Sequence, residues 1–375
     1  MVFLHPVFTI LLVFLVVYSF YEVYGNDKKT APGLLWALGI YMILVIGLRN
    51  FVGADYPIYL SMYSEYFPTI DYSQLVDKLL LRDSNLDVEW LYVLLNKIVH
   101  ETGGPFYLFT LVSAIISIGG KFIFFSKNSK YPVFAVLIFL IPAYFIADSG
   151  HMRQALGMTV CVLSFRFIKE RKVWWYLLCI YLAFGFHKSA IIFLPAYWLA
   201  VIPMNSSRIF YAIMVCVILS PFQVYNAFST FLETLNVQDV SNGFNGYVSY
   251  EAKSSSFMDG LVLMFSFILI TYDKITCEKI YYYEYMRNIL VAGVCLYFIM
   301  RSNPVFSTRL VGPYLGFAPL VITAIVYSVE INTKRMLHLF FVSFMIFYYF
   351  VFAKYQGVAG SFTPERYHNI LWLKQ

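Results

Sequence analysis

Charge is scarce in this chain. Asp, Glu, Lys and Arg together make up 13% of its 375 residues, about half the share found in a soluble domain. With 60% hydrophobic residues, 20% aromatics and a mean hydropathy of +0.69, the apolar surface is more than a soluble fold can bury. The chain therefore reads as a polytopic membrane protein. Cysteine is sparse too. Cys161, Cys179, Cys216, Cys277 and Cys295 fall in or beside apolar runs, with no extracytoplasmic pairing that would make a disulfide framework. The opening residues lack a basic stretch and a small-residue cleavage site, so Val7–Tyr24 reads as a retained span and not a signal peptide. No internal repeat of the transporter kind is evident, and no compact cluster of acids or histidines offers a metal cage, so metal-independent chemistry without a cofactor is expected. The net charge of +6 does not point to nucleic acid, because the basic residues lie in short loops between apolar runs.

What the chain does have is a succession of those runs. Predicted spans cover roughly 5–24, 32–48, 105–125, 131–147, 151–168, 173–187, 189–203, 208–224, 257–273, 286–301, 308–329 and 336–354. That gives an all-α, single membrane domain over 1–375 with about twelve transmembrane helices. Leu86–Glu101 has an amphipathic helical pattern too polar to span and is placed at the interface. Alternate loops carry Lys28 and Lys29; Lys127 and Lys130; Lys169, Arg171 and Lys172; Arg208; Lys274 and Lys279; Lys334 and Arg335. If these are cytoplasmic, both termini are outside, and so are loops at about 49–104 and 225–256 and a tail at about 354–375. The rule leaves Arg49, Asp55, Asp87, Glu89, Asp148, His151, Arg153, His187, Arg301, Arg309, Glu365 and Arg366 on the outer side. A single arginine at a helix end is ordinarily an interfacial anchor. Acids, arginines and histidines converging on one face from several helices need another reason.

The stretch Ala147–Ser189 concentrates that convergence. Two apolar segments flank the basic turn Lys169-Glu170-Arg171-Lys172, so the two helices are antiparallel. Asp148, His151, Arg153 and Gln154 at the start of the first then share a membrane face with His187, Lys188 and Ser189 at the end of the second. Asp148-Ser149-Gly150 supplies an N-cap before a helix. The unpaired first-turn N–H groups, the helix dipole and the Arg153 fork together suit a phosphate. Asn303-Pro304-Val305-Phe306-Ser307-Thr308-Arg309 repeats the design, a Ser or Thr cap and then an arginine, and two such sites suit a pyrophosphate. The first external loop opens Arg49-Asn50-Phe51-Val52-Gly53-Ala54-Asp55-Tyr56-Pro57-Ile58-Tyr59. Here Gly53 permits a tight bend, Tyr56 and Tyr59 offer sugar-binding faces, and Asp55 could bind sugar hydroxyls or act as a base. Asp87-Val88-Glu89 has the spacing of a metal-binding acid pair, but at a helix start both acids are read as dipole partners.

The segments R-N-x-V-G-A-D-Y-x-x-Y, D-x-E-W, D-S-G-H-M-R-Q-A-L-G and F-H-K-S-A-I-I-F-L-P, in that order, resemble the EpsG family of Wzy-type bacterial polysaccharide polymerases. The resemblance extends over most of the chain and is only generic at about 205–285. It implies a GT-C-type glycosyltransferase of the bacterial inner membrane. Such an enzyme joins undecaprenyl-pyrophosphate-linked oligosaccharides at the periplasmic face, alongside membrane lipids, with a chain-length regulator and a flippase as partners. Arg49, Gly53, Asp55, Arg153, Gln154, His187 and Arg309 occupy the family's polar positions; no role is carried onto His151.

The chemistry fits the residues. The leaving group is already a pyrophosphate and needs neutralising charge, while the acceptor is a hydroxyl that needs a base. Arg153 and Arg309 are expected to hold the pyrophosphate, helped by Arg49 and Arg301. His187 is expected to be the base, with Asp55 second, and Tyr56, Tyr59, Gln154 and Asp148 to bind sugar. The rival readings are an O-antigen ligase-like transferase, a membrane acyltransferase, and a flippase or transporter of lipid-linked oligosaccharides. The orientation can be checked by labelling single cysteines with an impermeant reagent in intact cells. Positions 187 and 301 should react and position 170 should not; the reverse pattern would invert the topology.

Overall fold

The computed structural model describes residues 3–25, 32–53, 55–82, 86–222 and 256–372. Lys28 and Lys29, and nearly all of the second predicted external loop, lie outside the described residues. In chain order the elements are α1 (Pro6–Tyr24), α2 (Pro32–Gly47), the two-residue strand β1 (Arg49–Asn50), α3 (Tyr56–Ser61), α4 (Tyr72–Leu79), α5 (Trp90–Glu101), α6 (Phe106–Asn128), α7 (Pro132–Phe139), α8 (Met152–Leu163), α9 (Phe165–Lys169), α10 (Val173–Phe186), α11 (Ala196–Leu199), α12 (Ser206–Leu219), α13 (Ser256–Lys279), α14 (Tyr283–Ile299), α15 (Pro304–Arg309), α16 (Gly312–Leu315), α17 (Ala318–Ser328), α18 (Ile331–Ala359) and the strand β2 (His368–Asn369). The architecture is all-α apart from the short β1–β2 ladder.

Among the described residues, four helices, α1, α6, α13 and α18, are long and apolar enough to cross a membrane, and several shorter apolar helices accompany them. Four of the predicted spans are interrupted. The run 131–147 begins as α7 and continues as a wide-turned stretch, Leu140–Asp148, with Ile141 out of the helical region at φ −131 and ψ 127. Ile141 precedes Pro142, and a residue before proline is pushed towards extended backbone. The run 151–168 divides into α8 and α9, 189–203 into a 3-10 turn at Lys188–Phe193 and then α11, and 308–329 falls within α15, α16 and α17. The interfacial helix forms as α5, and α3 and α4 lie in the same loop.

The chain divides into two compact units. Unit 1 comprises Met1–Leu163, Leu182–His187 and Glu330–Gln375; unit 2 comprises Ser164–Tyr181 and Lys188–Val329. In unit 1 the Glu22 carboxylate at the end of α1 accepts from the Val133 and Phe134 N–H groups at 3.2 and 2.9 Å, capping a helix whose own sequence offers no capping side chain. Beside it, His338 meets Ser19 and Tyr24, and Lys334 reaches Tyr131. The opposite end gathers the start of α1, the end of α2 and the C-terminal tail. The Phe362 carbonyl accepts from His5 N–H at 2.8 Å, and the Tyr367 hydroxyl donates to the Val45 carbonyl at 2.7 Å. Asn369, paired with Arg49 across the ladder, donates to the Leu44 and Val45 carbonyls. In unit 2, Arg287 is 1% exposed and donates to both Asp273 oxygens at 2.8 Å, joining α14 to α13. Asn288 next to it donates to the carbonyls of Ala200 and Ile202.

One arginine fastens the start of the first external loop. Arg49 is 1% exposed, and its Nε, Nη1 and Nη2 donate to the carbonyls of Val52, Ile46 and Ser149 at 2.9, 2.6 and 2.7 Å. Burial lowers the guanidinium pKa from its usual value, yet the group stays charged, so the carbonyl dipoles around it are essential partners. Gly53 makes the approach possible. Its φ is +109, and a Cβ there would sit 2.7 Å from the same Ser149 carbonyl oxygen. Gly53→Ala should therefore force positive-φ strain and a backbone clash, and Arg49→Met should orphan three buried carbonyls at about 1–3 kcal/mol for each group left unsatisfied. Both variants should melt clearly below the parent in detergent; unchanged melting of both would show that the loop is held elsewhere.

Candidate active site

The Arg49 lock joins the loop before α3 to the Ser149 turn before α8, and two pairs of charged side chains form beside it. Asp55 occupies the N-cap position of α3 but makes no capping hydrogen bond. Its Oδ2 lies 3.0 Å from Nδ1 of His151. His151 directly precedes α8, and its carbonyl accepts from Ala155 N–H. Both side chains are partly open, His151 at 26% and Asp55 at 33%. One turn further along α3, Tyr59 hydrogen-bonds Arg153 and feels the charges of Asp55 and Glu89, which links the two pairs. Burial raises the Tyr59 hydroxyl's pKa above its usual value, so it remains a neutral donor and acceptor.

Arg153, in the first turn of α8, donates through Nη1 to Glu89 Oε2 at 3.0 Å. Its guanidinium lies 6.0 Å from the Tyr92 ring centre, within cation–π range. Its Nε is buried with no hydrogen-bond partner among the described residues. Glu89 precedes α5 in N-cap position yet makes no cap bond. The expectation that Glu89 serves the α5 dipole therefore gives way to an ion pair with Arg153. Gly185 packs against the Trp90 indole, where a Cβ would come within 2.7 Å of the ring. This close approach brings the end of α10, and His187 after it, to the start of α5. His187 is 9% exposed, and its N–H donates to the Ala183 carbonyl.

Other expected residues are placed differently. Tyr56 and Tyr59 are 3% and 5% exposed. Tyr56 packs on Phe51 and Phe106 and lies beneath the Arg49 guanidinium, so neither ring is laid open as a sugar platform. Asp148 does not cap α8. It ends the wide-turned stretch, with its side chain fully buried and Oδ1 2.6 Å from Lys121 Nζ. Ser149 donates instead to the Phe145 carbonyl. Gln154 is buried in α8. Arg49 faces inward to three carbonyls, away from any solvent-borne phosphate. In unit 2, Arg301 pairs with Asp259, which also accepts from the Tyr297 hydroxyl at 2.9 Å. Arg309 ends the short α15 and does not begin a helix; the Asn303 side chain caps that helix by accepting from Phe306 N–H. The second helix-start phosphate site expected there is therefore not formed.

Sequence reasoning missed Lys121, Asp259, Arg287 and the pairing of His151. A lysine inside an apolar run carries a signal of its own, because an intramembrane charge needs a partner, and Asp148 is that partner. The other pairings join residues far apart in sequence. Among the described residues, no group of three or more His, Cys, Asp or Glu side chains could hold a metal ion.

The fold and the cluster define a helical membrane protein that gathers a histidine–carboxylate pair and an arginine–carboxylate pair at one corner of unit 1. The chain matches the model of the EpsG family over residues 33–367 and belongs to that family. No curated protein and no solved structure matches it. A double-mutant cycle on Arg153 and Glu89, read by thermal stability, should show coupling on the order of 1 kcal/mol or more, since Glu89 is only 8% exposed. Additive effects would mean that the pair contributes nothing to the fold.

Proposed function

We propose that this chain is a polysaccharide polymerase that joins polyprenyl-pyrophosphate-linked oligosaccharide repeats at the outer face of a bacterial inner membrane. Family membership supports a polysaccharide polymerase in broad terms. The donor and the residue roles rest on the unit 1 cluster, and above all on Arg153, whose Nε is buried without a partner beside its ion pair with Glu89. A donor pyrophosphate offers oxygens for that unused N–H and competes with Glu89 for Nη1. The contact strengthens as the glycosyl bond breaks and charge develops on the leaving group, which is how a preorganised donor accelerates a reaction. Tyr59 hydrogen-bonds the same guanidinium. Arg49 is assigned to the scaffold, and Arg301 and Arg309 remain candidates within unit 2. The acceptor hydroxyl's proton needs a base, and unit 1 carries two histidines, His151 and His187, near this corner.

A lipid-linked oligosaccharide transporter is the second reading. The interrupted stretch at Leu140–Asp148, with its buried Lys121–Asp148 pair, resembles the broken helices that line transport sites. Purified protein in nanodiscs, given the lipid-linked repeat alone and EDTA, separates the two. The polymerase reading requires lengthened lipid-linked chains. In that assay Arg153→Ala should lose about 10²–10³ in rate, and Arg153→Lys should recover only part, because it lacks the planar fork. Absence of elongation by the parent protein would leave transport as the better account. Loss on chelation restored by Mg²⁺ would place a metal in the reaction.

A further inference from the structure

We infer that His151 is the general base of the transfer and that Asp55 is its positioning residue, an assignment that rests on the polymerase reading above. A base of this kind needs a ring nitrogen that can take a proton, a fixed tautomer, and access to the acceptor. The Asp55 carboxylate, 3.0 Å from Nδ1, engages that nitrogen as N–H and leaves Nε2 with its lone pair. The side chain is partly open at 26%, so the ring is within reach of an incoming hydroxyl.

Both partners are held by backbone, not by each other alone. Asp55 follows Gly53, whose close approach to the Ser149 carbonyl fixes the loop, and Arg49 binds that same carbonyl. His151 lies two residues beyond Ser149 and is held by Ala147 through its N–H and by Ala155 through its carbonyl. The dyad therefore spans two segments that the lock already joins. Arg153 stands two residues further on, with Tyr59 between the dyad and the arginine in the chain of charges. A donor whose pyrophosphate meets Arg153 thus has its anomeric carbon near the dyad. His187, the base expected from sequence, is 9% exposed.

The step balances. The acceptor oxygen forms a bond to the anomeric carbon as the bond from that carbon to the pyrophosphate oxygen breaks. The electron pair leaves with the polyprenyl pyrophosphate, and the acceptor proton moves to His151 Nε2 and then to water. No further reactant is needed.

The test uses the full-length protein in nanodiscs with the polyprenyl-pyrophosphate oligosaccharide, measuring elongation and donor binding separately. His151→Gln should lose about 10²–10⁴ in turnover while donor binding stays within about threefold. His151→Gly keeps an N-cap residue that helices accept and opens room for a small base, so added imidazole should restore at least tenfold of the lost rate. Asp55→Asn should lower kcat with little change in KM, and the double variant Asp55→Asn with His151→Gln should be no worse than His151→Gln alone, as expected of groups that act as a unit. A purely structural histidine would give no imidazole rescue, although its contact with Asp55 would still make the two substitutions non-additive. Near-parental turnover by His151→Gln, or a folded, donor-binding His151→Gly that imidazole does not rescue, overturns the assignment and leaves the polymerase reading standing. A parent protein that binds donor but never elongates it overturns both.

Discussion

The buried guanidinium of Arg49 is the constraint on which the site in unit 1 depends. An arginine that is 1% exposed cannot shed its proton, and the backbone carbonyls of Val52, Ile46 and Ser149 solvate it. Two of those carbonyls, at the end of α2 and in the loop after β1, flank Arg49 in sequence, and the third, before α8, is a hundred residues away. The same residue pairs across the β1–β2 ladder with Asn369, so the C-terminal tail is joined to this segment. Satisfying one buried charge thereby fixes the relative positions of Asp55 and His151, and of Tyr59 and Arg153.

A second theme is that unit 1 pairs its charges where water is scarce. Lys121 with Asp148 and Arg153 with Glu89 each place at least one partner almost wholly out of solvent. Breaking such a pair from one side leaves an unpaired buried charge at a cost of about 3–5 kcal/mol, so these contacts specify geometry as well as stability. The two pairs differ in one respect. Lys121–Asp148 is closed on both sides, whereas the Arg153 side chain is 29% exposed. Only the second can trade its partner for an incoming anion, and that difference separates scaffold from proposed site.

Much of the fold was legible in the sequence because its signals are local. Apolar runs bounded by basic loops located α1, α2, α6 and α10 to within a few residues and the middle of the longer α18, and the amphipathic pattern before Glu101 located α5. The interruptions were harder to see. Ile141 leaves the helical region before Pro142 inside an unbroken apolar run, and hydropathy does not register a missing N–H. At the site, the sequence marked Arg49, Asp55 and Arg153 as unexplained polar positions on one face and Gly53 as a bend. It could not say which of them faced solvent. Asp148 looked like a cap until Lys121, about 24 Å along α6 from the Pro105 end by helical rise, proved to be its partner. Tyr56 and Tyr59 looked like open rings and are buried instead. Burial and pairing depend on neighbours from distant segments, and a single sequence does not list them.

The proposed polymerase requires Arg153 to exchange the Glu89 carboxylate for the pyrophosphate of a lipid-linked sugar. Direct measurement of polyprenyl pyrophosphate binding in nanodiscs, comparing the parent with Glu89→Gln and Arg153→Gln, tests it most directly. If the exchange occurs, removing the competing carboxylate tightens binding and removing the guanidinium weakens it, in both cases with the protein folded. If neither substitution changes the dissociation constant, Arg153 is a structural partner of Glu89, and the pyrophosphate is bound elsewhere.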